Sequence, residues 1–338
     1  LIGISCDILS QAHDHARTDE KKNGTYRRVV ETIRRLTRYR VEYNVLCTLT
    51  RQIARHPKQV WNEIKKLGIE YVQFTPCLRD LTCSKTEAFA LTPERFASFY
   101  QELFDLWYKE LCDGQYRSVK LFDDLVQLLS RGLVTACGIG GYCQPQIVVE
   151  ADGTVYPCDF YCLDPFAVGN LTRDSLRTVY ERSAVSACKK REKLPVLCGD
   201  CRYRKLCGGG CRRMQEEVCC SFEDTYCGYR DFLNHIWERL VKISRRWTAG
   251  LSLHENFFKR CLPMPLRNPI RSLLQESRHA PLKAIRRLML ESNGLITIAF
   301  RRGYIKDGLG KPRNDMGQQE YHINEYFKSR EWTQIIQK

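Results

Sequence analysis

The stretch from Cys198 to Cys211 reads CGDCRYRKLCGGGC, four cysteines in 14 residues spaced as CxxC, five residues, C, three residues, C. Four thiols this close either share a metal site or stand idle, and the choice decides what kind of domain surrounds them. A zinc ribbon needs its two CxxC knuckles roughly 15 to 20 residues apart so that they can face each other. Here the gap after the CxxC is five. Short-spaced runs of this kind suit iron-sulfur ligation, in which three cysteines hold one cluster and the fourth reaches over to another. That logic demands cysteines outside the run, and Cys137, Cys143, Cys158 and Cys227 supply them. Eight candidates make two sites of four. No histidine falls between His56 and His235, so ligation here is all thiolate, which suits iron-sulfur clusters or zinc.

Twelve of the 18 cysteines lie in the 91 residues from Cys137 to Cys227, far denser than core packing needs. The chain has 338 residues, 43% of them apolar, enough for one large or two ordinary domains with a real core. No stretch approaches the roughly 20 apolar residues that span a bilayer, and the first residues lack the pattern of a signal peptide. A cytoplasmic protein with no membrane partner is expected, where thiols are kept reduced and serve as ligands or core residues. Basic residues are concentrated at the end: residues 242–338 hold 19 Lys and Arg against 8 Asp and Glu. A charge run is usually a solvated face, and this one shows no stacking aromatics or helix-turn-helix pattern, so nucleic acid is not an expected partner.

Ahead of the cysteines the texture is alternating. Leu1 to Ser5 reads as a buried strand, and residues 24–39 place Val29, Ile33 and Leu36 at helical spacing. Val41 to Leu49 reads as a strand, residues 57–67 as a helix opening near Pro57, and Ile69 to Phe74 as another strand. This beat argues for an α/β fold with parallel strands and crossover helices. Residues 93–110 form a longer helix whose Phe96, Phe99, Tyr100, Leu103, Phe104 and Trp107 pack a core. Gln146 to Ala151 and Thr154 to Tyr156 form a hairpin, and Asp152-Gly153 between them favours a type I′ turn. Helices return at about 174–182 and 228–243, with helical patches around 282–291 in the tail.

The order Cys143, nine residues, Gly153, four residues, Cys158, followed by the CxxC, five, C, three, C run and a distal Cys227, resembles the SPASM domain of radical S-adenosylmethionine (SAM) peptide-modifying enzymes. The words QIVVEADGTVYPCDFY (146–161), Leu163-Asp164, Gly169-Asn170 and GGGCRR (208–213) are similar to the anaerobic sulfatase-maturating enzymes. So are Ala54-Arg55-His56 and Phe104-Asp105-Leu106-Trp107-Tyr108. The resemblance covers roughly residues 1–243. It implies the back part of a partial (βα)6 radical SAM barrel over 1–110, a SPASM domain over 111–243, and leaves 244–338 as a basic tail without a role.

The resemblance further implies two auxiliary [4Fe-4S] clusters. Cys137, Cys143, Cys158 and Cys211 would ligate the first, and Cys198, Cys201, Cys207 and Cys227 the second, with Cys219 and Cys220 as rivals for the last position. Cys162, Cys188 and the six other cysteines are expected to be plain apolar residues. Family members oxidise a cysteine or serine of a sulfatase polypeptide to formylglycine. A deoxyadenosyl radical takes a hydrogen from Cβ, a base takes the thiol or hydroxyl proton, and an electron leaves through a cluster, with a flavodoxin or ferredoxin as electron donor. The match of Pro157-Cys158-Asp159-Phe160-Tyr161 gives Asp159 the role of that base, although an Asp after a strand is otherwise a turn or cap residue. Ser5 falls where the family has a Ser-x-Asp-Gly strand end touching SAM. Here the run is Ser5-Cys6-Asp7-Ile8, with isoleucine for glycine.

The CxxxCxxC run that holds the SAM-cleaving cluster does not occur in the 338 residues. Together with the abrupt opening at Leu1, this predicts a chain lacking the front of its barrel and inactive by itself, with SAM and a third cluster bound only if that part is present. Two other readings are a SPASM-type maturase of another peptide and a non-enzymatic iron-sulfur or zinc protein.

Overall fold

In the computed structural model residues 2–81, 88–141, 143, 146–187, 194–220 and 225–248 are described. The tail patches, Cys83, Cys188 and Cys261 lie outside the described residues. In chain order the elements run β1 (Ile2–Ser5), α1 (Ser10–Ala16), α2 (Tyr26–Arg38), β2 (Tyr43–Leu49), α3 (Pro57–Lys66), β3 (Tyr71–Pro76), α4 (Pro93–Cys112) and β4 (Ser118–Val119). There follow α5 (Lys120–Arg131), β5 (Val148–Val149), β6 (Thr154–Tyr156), β7 (Gly169–Asn170), α6 (Leu176–Ala187), α7 (Arg204–Cys207) and α8 (Gly228–Thr248). They divide into two compact units, one from the described residues of Leu1–Tyr142 and Glu192–Met264, the other from those of Cys143–Arg191.

The first unit is built on a parallel sheet in the order β1-β2-β3-β4, the α/β class that the alternating texture predicts. Ile4 stands beside Val45, Val45 beside Val72, and Val72 beside Val119, so one row of branched side chains runs across it. In β2 the residues Tyr43, Val45, Cys47 and Leu49 are all buried while those between are half-buried, as expected for a strand covered on both faces. Crossovers of this length are helical because parallel neighbours cannot be joined by a tight turn.

Helix α4 begins at Pro93, whose fixed φ suits the first helical position, with the Thr92 hydroxyl accepting from the Arg95 amide at 3.3 Å. Its buried face, Phe96, Phe99, Tyr100, Leu103, Phe104 and Trp107, meets Phe122 of α5 and Phe232 of α8 in tilted and edge-to-face pairs. Helices α1 and α5 have no counterpart in the sequence reading. Helix α1 is polar and seats itself through buried His13, and α5 ends at Gly132 in the left-handed region.

The second unit is small: antiparallel β5, β6 and β7 with α6 against them, around buried Ile147, Val155 and Val179. Its hairpin forms where expected, but the turn is not type I′. That turn needs positive φ at both central residues, and only Gly153, at φ +84°, has it. The Gly153 amide donates to Glu150 O at 2.9 Å, so Ala151 and Asp152 form an ordinary β-turn followed by a left-handed glycine. The Asp152 carboxylate accepts from the Thr154 amide and hydroxyl, both at 2.9 Å, which holds Asp152 in the turn.

Candidate metal centre

The chain between Tyr203 and Cys211 coils through α7 and three left-handed glycines, Gly208, Gly209 and Gly210. A β-carbon on Gly208 would stand 2.2 Å from the Gly140 carbonyl oxygen, and one on Gly141 would stand 2.2 Å from that of Gly208. One on Gly138 would meet the Cys211 Cβ at 2.8 Å. Two glycine turns therefore lie backbone against backbone, and only residues without Cβ allow it. Their contact seats the loop that carries Cys137 on the turn that carries Cys207 and Cys211.

Beside this turn a recess is lined by Cys198, Cys201, Cys207, Cys219, Cys220 and Cys227, under Tyr229 and Leu233 of α8. Burial raises the Cys207 thiol, and the sulfurs of Cys201, Cys198 and Cys227 raise it further, because thiolates sharing one space repel. A cationic iron core removes that cost. Among the described residues no three His, Cys, Asp or Glu side chains converge as one metal ion requires. A four-iron cluster gives each thiolate its own iron, so its ligands line a space rather than meet at a point, and this donor set fits it. No disulfide joins any of the described cysteines.

Cys227 immediately precedes α8, and its sulfur accepts from the Arg230 amide at 3.4 Å, in the manner of an N-cap. Its thiol is lowered, chiefly by the hydrogen bond from Cys220 and then, against burial, by the amides of the first helical turn. Cys220 faces Cys227 across an antiparallel bridge. Cys219 also lines the recess, its Sγ 2.9 Å from where a Gly210 Cβ would be.

Glu217 is a site residue that the sequence reading missed. It is 2% exposed, and Oε1 accepts from the Arg79 side chain at 3.0 Å and the Arg79 amide at 3.3 Å. Arg213 lies 3.7 Å away and donates to Arg79 O. The ion cluster ties the segment between Cys211 and Cys219 to the chain just past the carboxyl end of β3.

Ser5 is exposed at the carboxyl end of β1, the end of a parallel sheet where ligand sites gather. Asp7, 3% exposed, accepts from Arg17 at 2.7 and 3.1 Å and from the Thr48 amide at 3.0 Å. Ile8, where the family pattern has glycine, adopts φ +63°. A left-handed backbone is thus adopted here by a β-branched residue, at a cost of about 1 to 3 kcal/mol.

In the second unit, Cys158 ends the strand pair, and Asp159 opens a turn of 3-10 helix over Asp159–Tyr161. Asp159 is exposed, with Oδ1 3.4 Å from Cys158 Sγ. Cys162 Sγ donates to Cys158 O at 3.6 Å. Cys143 also belongs to this unit, and Cys137 and Cys211 to the first.

Residues 127–202 match the SPASM model, described as an iron-sulfur cluster-binding domain. The chain is 34% identical over 218 residues to the cysteine-type anaerobic sulfatase-maturating enzyme of Clostridium novyi (strain NT), across 64% of this chain and 58% of the relative. It is 33% identical over 253 residues to the enzyme of the same description from Clostridium perfringens (strain 13 / Type A), across 72% of this chain and 67% of that one. Among solved structures, native anSMEcpe with bound AdoMet and Cp18Cys peptide superposes with a TM-score of 0.65 at 31% identity, over 72% of this chain and 69% of that chain. The chain thus spans between about three fifths and two thirds of its relatives' length. No helix among the described residues is long and apolar enough to cross a membrane.

Proposed function

Because this chain belongs to the anaerobic sulfatase-maturating enzymes of the radical SAM/SPASM family, we propose that it carries the auxiliary iron-sulfur clusters with which such an enzyme oxidises a sulfatase cysteine or serine to formylglycine. The observation that carries this reading is the recess lined by Cys198, Cys201, Cys207 and Cys227. These four would hold one [4Fe-4S] cluster, and Cys137, Cys143, Cys158 and Cys211 the other. When bound, the clusters supply one-electron redox chemistry, and SAM with a cluster of its own supplies hydrogen abstraction.

Asp159 would take the thiol or hydroxyl proton of the substrate side chain on its carboxylate. Its exposure supports access to a polypeptide, and its place beside Cys158 puts a proton acceptor next to a cluster ligand. Ser5, exposed at the end of β1, would contact SAM. The 338 residues hold no CxxxCxxC run, so ligands for the SAM-cleaving cluster would come from outside them and complete a (βα)6 barrel. A flavodoxin or ferredoxin would donate electrons, in the cytoplasm.

The test supplies a CxxxCxxC-bearing front segment, by fusion or as a second chain, and follows deoxyadenosine and formylglycine by mass spectrometry with a sulfatase peptide. The assembly is expected to make both, and the chain alone neither. Asp159→Asn keeps the side chain's shape and removes the base, so SAM cleavage should persist while aldehyde falls about 10²-fold or more. Undiminished aldehyde would remove Asp159 from this role.

A further inference from the structure

The recess holds more thiols than one cluster uses, and their arrangement is not random. Four cysteines saturate a [4Fe-4S] cluster, yet six line this space. Cys219 ends the π-helical turn Gln215–Cys219, and its sulfur is turned to Gly210. Cys220 is different. It is 5% exposed, has extended backbone at φ −126° and ψ 141°, and pairs with Cys227 in an antiparallel bridge. Directly opposed residues of such a bridge have Cβ atoms about 4.5 to 5.5 Å apart on the same face. Both thiols line the same recess.

We propose that Cys220 is a reserve ligand: the fourth position of the cluster proposed for Cys198, Cys201 and Cys207 is served by Cys227 or by Cys220, which exchange in place. The exchange balances without any outside reactant. The iron bond to Cys227 sulfur breaks, the iron bond to Cys220 sulfur forms, and the Cys220 proton passes to the Cys227 thiolate across the bridge that pairs the two residues. No electron is gained or lost. The antiparallel bridge makes the swap small, because both sulfurs leave neighbouring points of one backbone ladder for the same iron. Capping of α8 by the Cys227 sulfur gives that residue a second occupation when it is not a ligand.

This inference rests on the cluster reading above, and the experiment separates the two. The full chain is reconstituted with iron and sulfide without oxygen, and iron, sulfide and the electron paramagnetic resonance of the reduced clusters are measured. Cys220→Ala and Cys227→Ala should each keep the wild-type iron content, with an altered spectrum in Cys227→Ala, and the double variant should lose about four irons. Cys227→Asn, which retains a capping side chain, should behave as Cys227→Ala and guards against loss of α8. Loss of about four irons in both Cys227 variants, as large as in the double variant, would overturn the reserve role. So would full iron content in the double variant. A wild-type chain that takes up no sulfide, or Cys201→Ala that loses no iron, would instead overturn the cluster reading.

Discussion

Gly141 and Gly208 meet backbone to backbone, leaving 2.2 Å between a would-be Gly141 Cβ and the Gly208 carbonyl oxygen. Gly208 also has φ +51°, so a side chain there faces both a clash and a strained backbone. Gly208→Ala is expected to cost more than the roughly 1 kcal/mol of an ordinary left-handed glycine replacement. It should also lower iron retention, since it separates the Cys137 loop from the Cys207 to Cys211 turn. Denaturant titration of the reconstituted protein together with iron content checks this, and a variant with wild-type values of both would show the contact to be dispensable.

Glu217→Ala leaves Arg79 and Arg213, 14% and 11% exposed, without their carboxylate. Removing one partner of a buried ion cluster is strongly destabilising, by about 3 to 5 kcal/mol, because the remaining charge stays out of water. The urea midpoint of the variant should fall accordingly, and Arg79→Ala combined with Glu217→Ala should cost less than the sum of the two single changes.

His13 gives the fold a pH dependence with a definite sign. Its Nδ1 accepts from the Asp7 amide at 3.1 Å, so the proton of the neutral ring sits on Nε2 and is donated to Thr25 Oγ1 at 3.1 Å, itself a donor to Arg17 O. Burial lowers the His13 pKa below its ordinary 6.5, with Asp7 opposing the shift. The unfolded chain therefore takes up the proton first, and stability that is complete above about pH 6.5 declines as the pH falls below it. His13→Gln should flatten the slope of unfolding free energy against pH in that window. An unchanged slope would assign it to other groups.

Protein purified without oxygen should carry about eight irons and eight sulfides per chain, as two four-iron clusters require. Cys201→Ala should remove one cluster in preference to the other. Zinc at one or two equivalents without sulfide would contradict both assignments.

Much of this was legible in the sequence because it rests on local pattern. Helices α2 and α3 and strands β2 and β3 carry periodicity and punctuation within their own residues, and Cys198, Cys201 and Cys207, which line one recess, already stand together in the run. What escaped depends on distant partners. Glu217 in QEEVCC looks like a solvated acid, since acidic residues are almost never fully buried unless paired, and its partner Arg79 lies 138 positions away. The glycines at 138–141 and 208–210 each read as loops, and their close approach exists only once both turns are in space. The Asp152-Gly153 turn was misjudged because Asp152 caps Thr154 from negative φ instead of entering the left-handed region.

Helix α8 is the last described element, yet Phe232, Leu233, Ile236 and Leu240 are fully buried in the same core as Phe96 and Tyr100 of α4. During synthesis at about 5 to 20 residues per second, the part of the α4 face that Phe232 covers therefore waits for its partner while more than a hundred further residues are made, although Phe122 of α5 follows at once. The described part of the second unit, within residues 143–187, is closed by short-range pairings and can settle in that interval. Cys227 emerges just ahead of α8, so the hydrophobic seat and the last thiol of the recess reach the nascent protein together. The recess is in this sense a late structure: its lining includes Cys227, Tyr229 and Leu233, so it is incomplete until the start of α8 has been made.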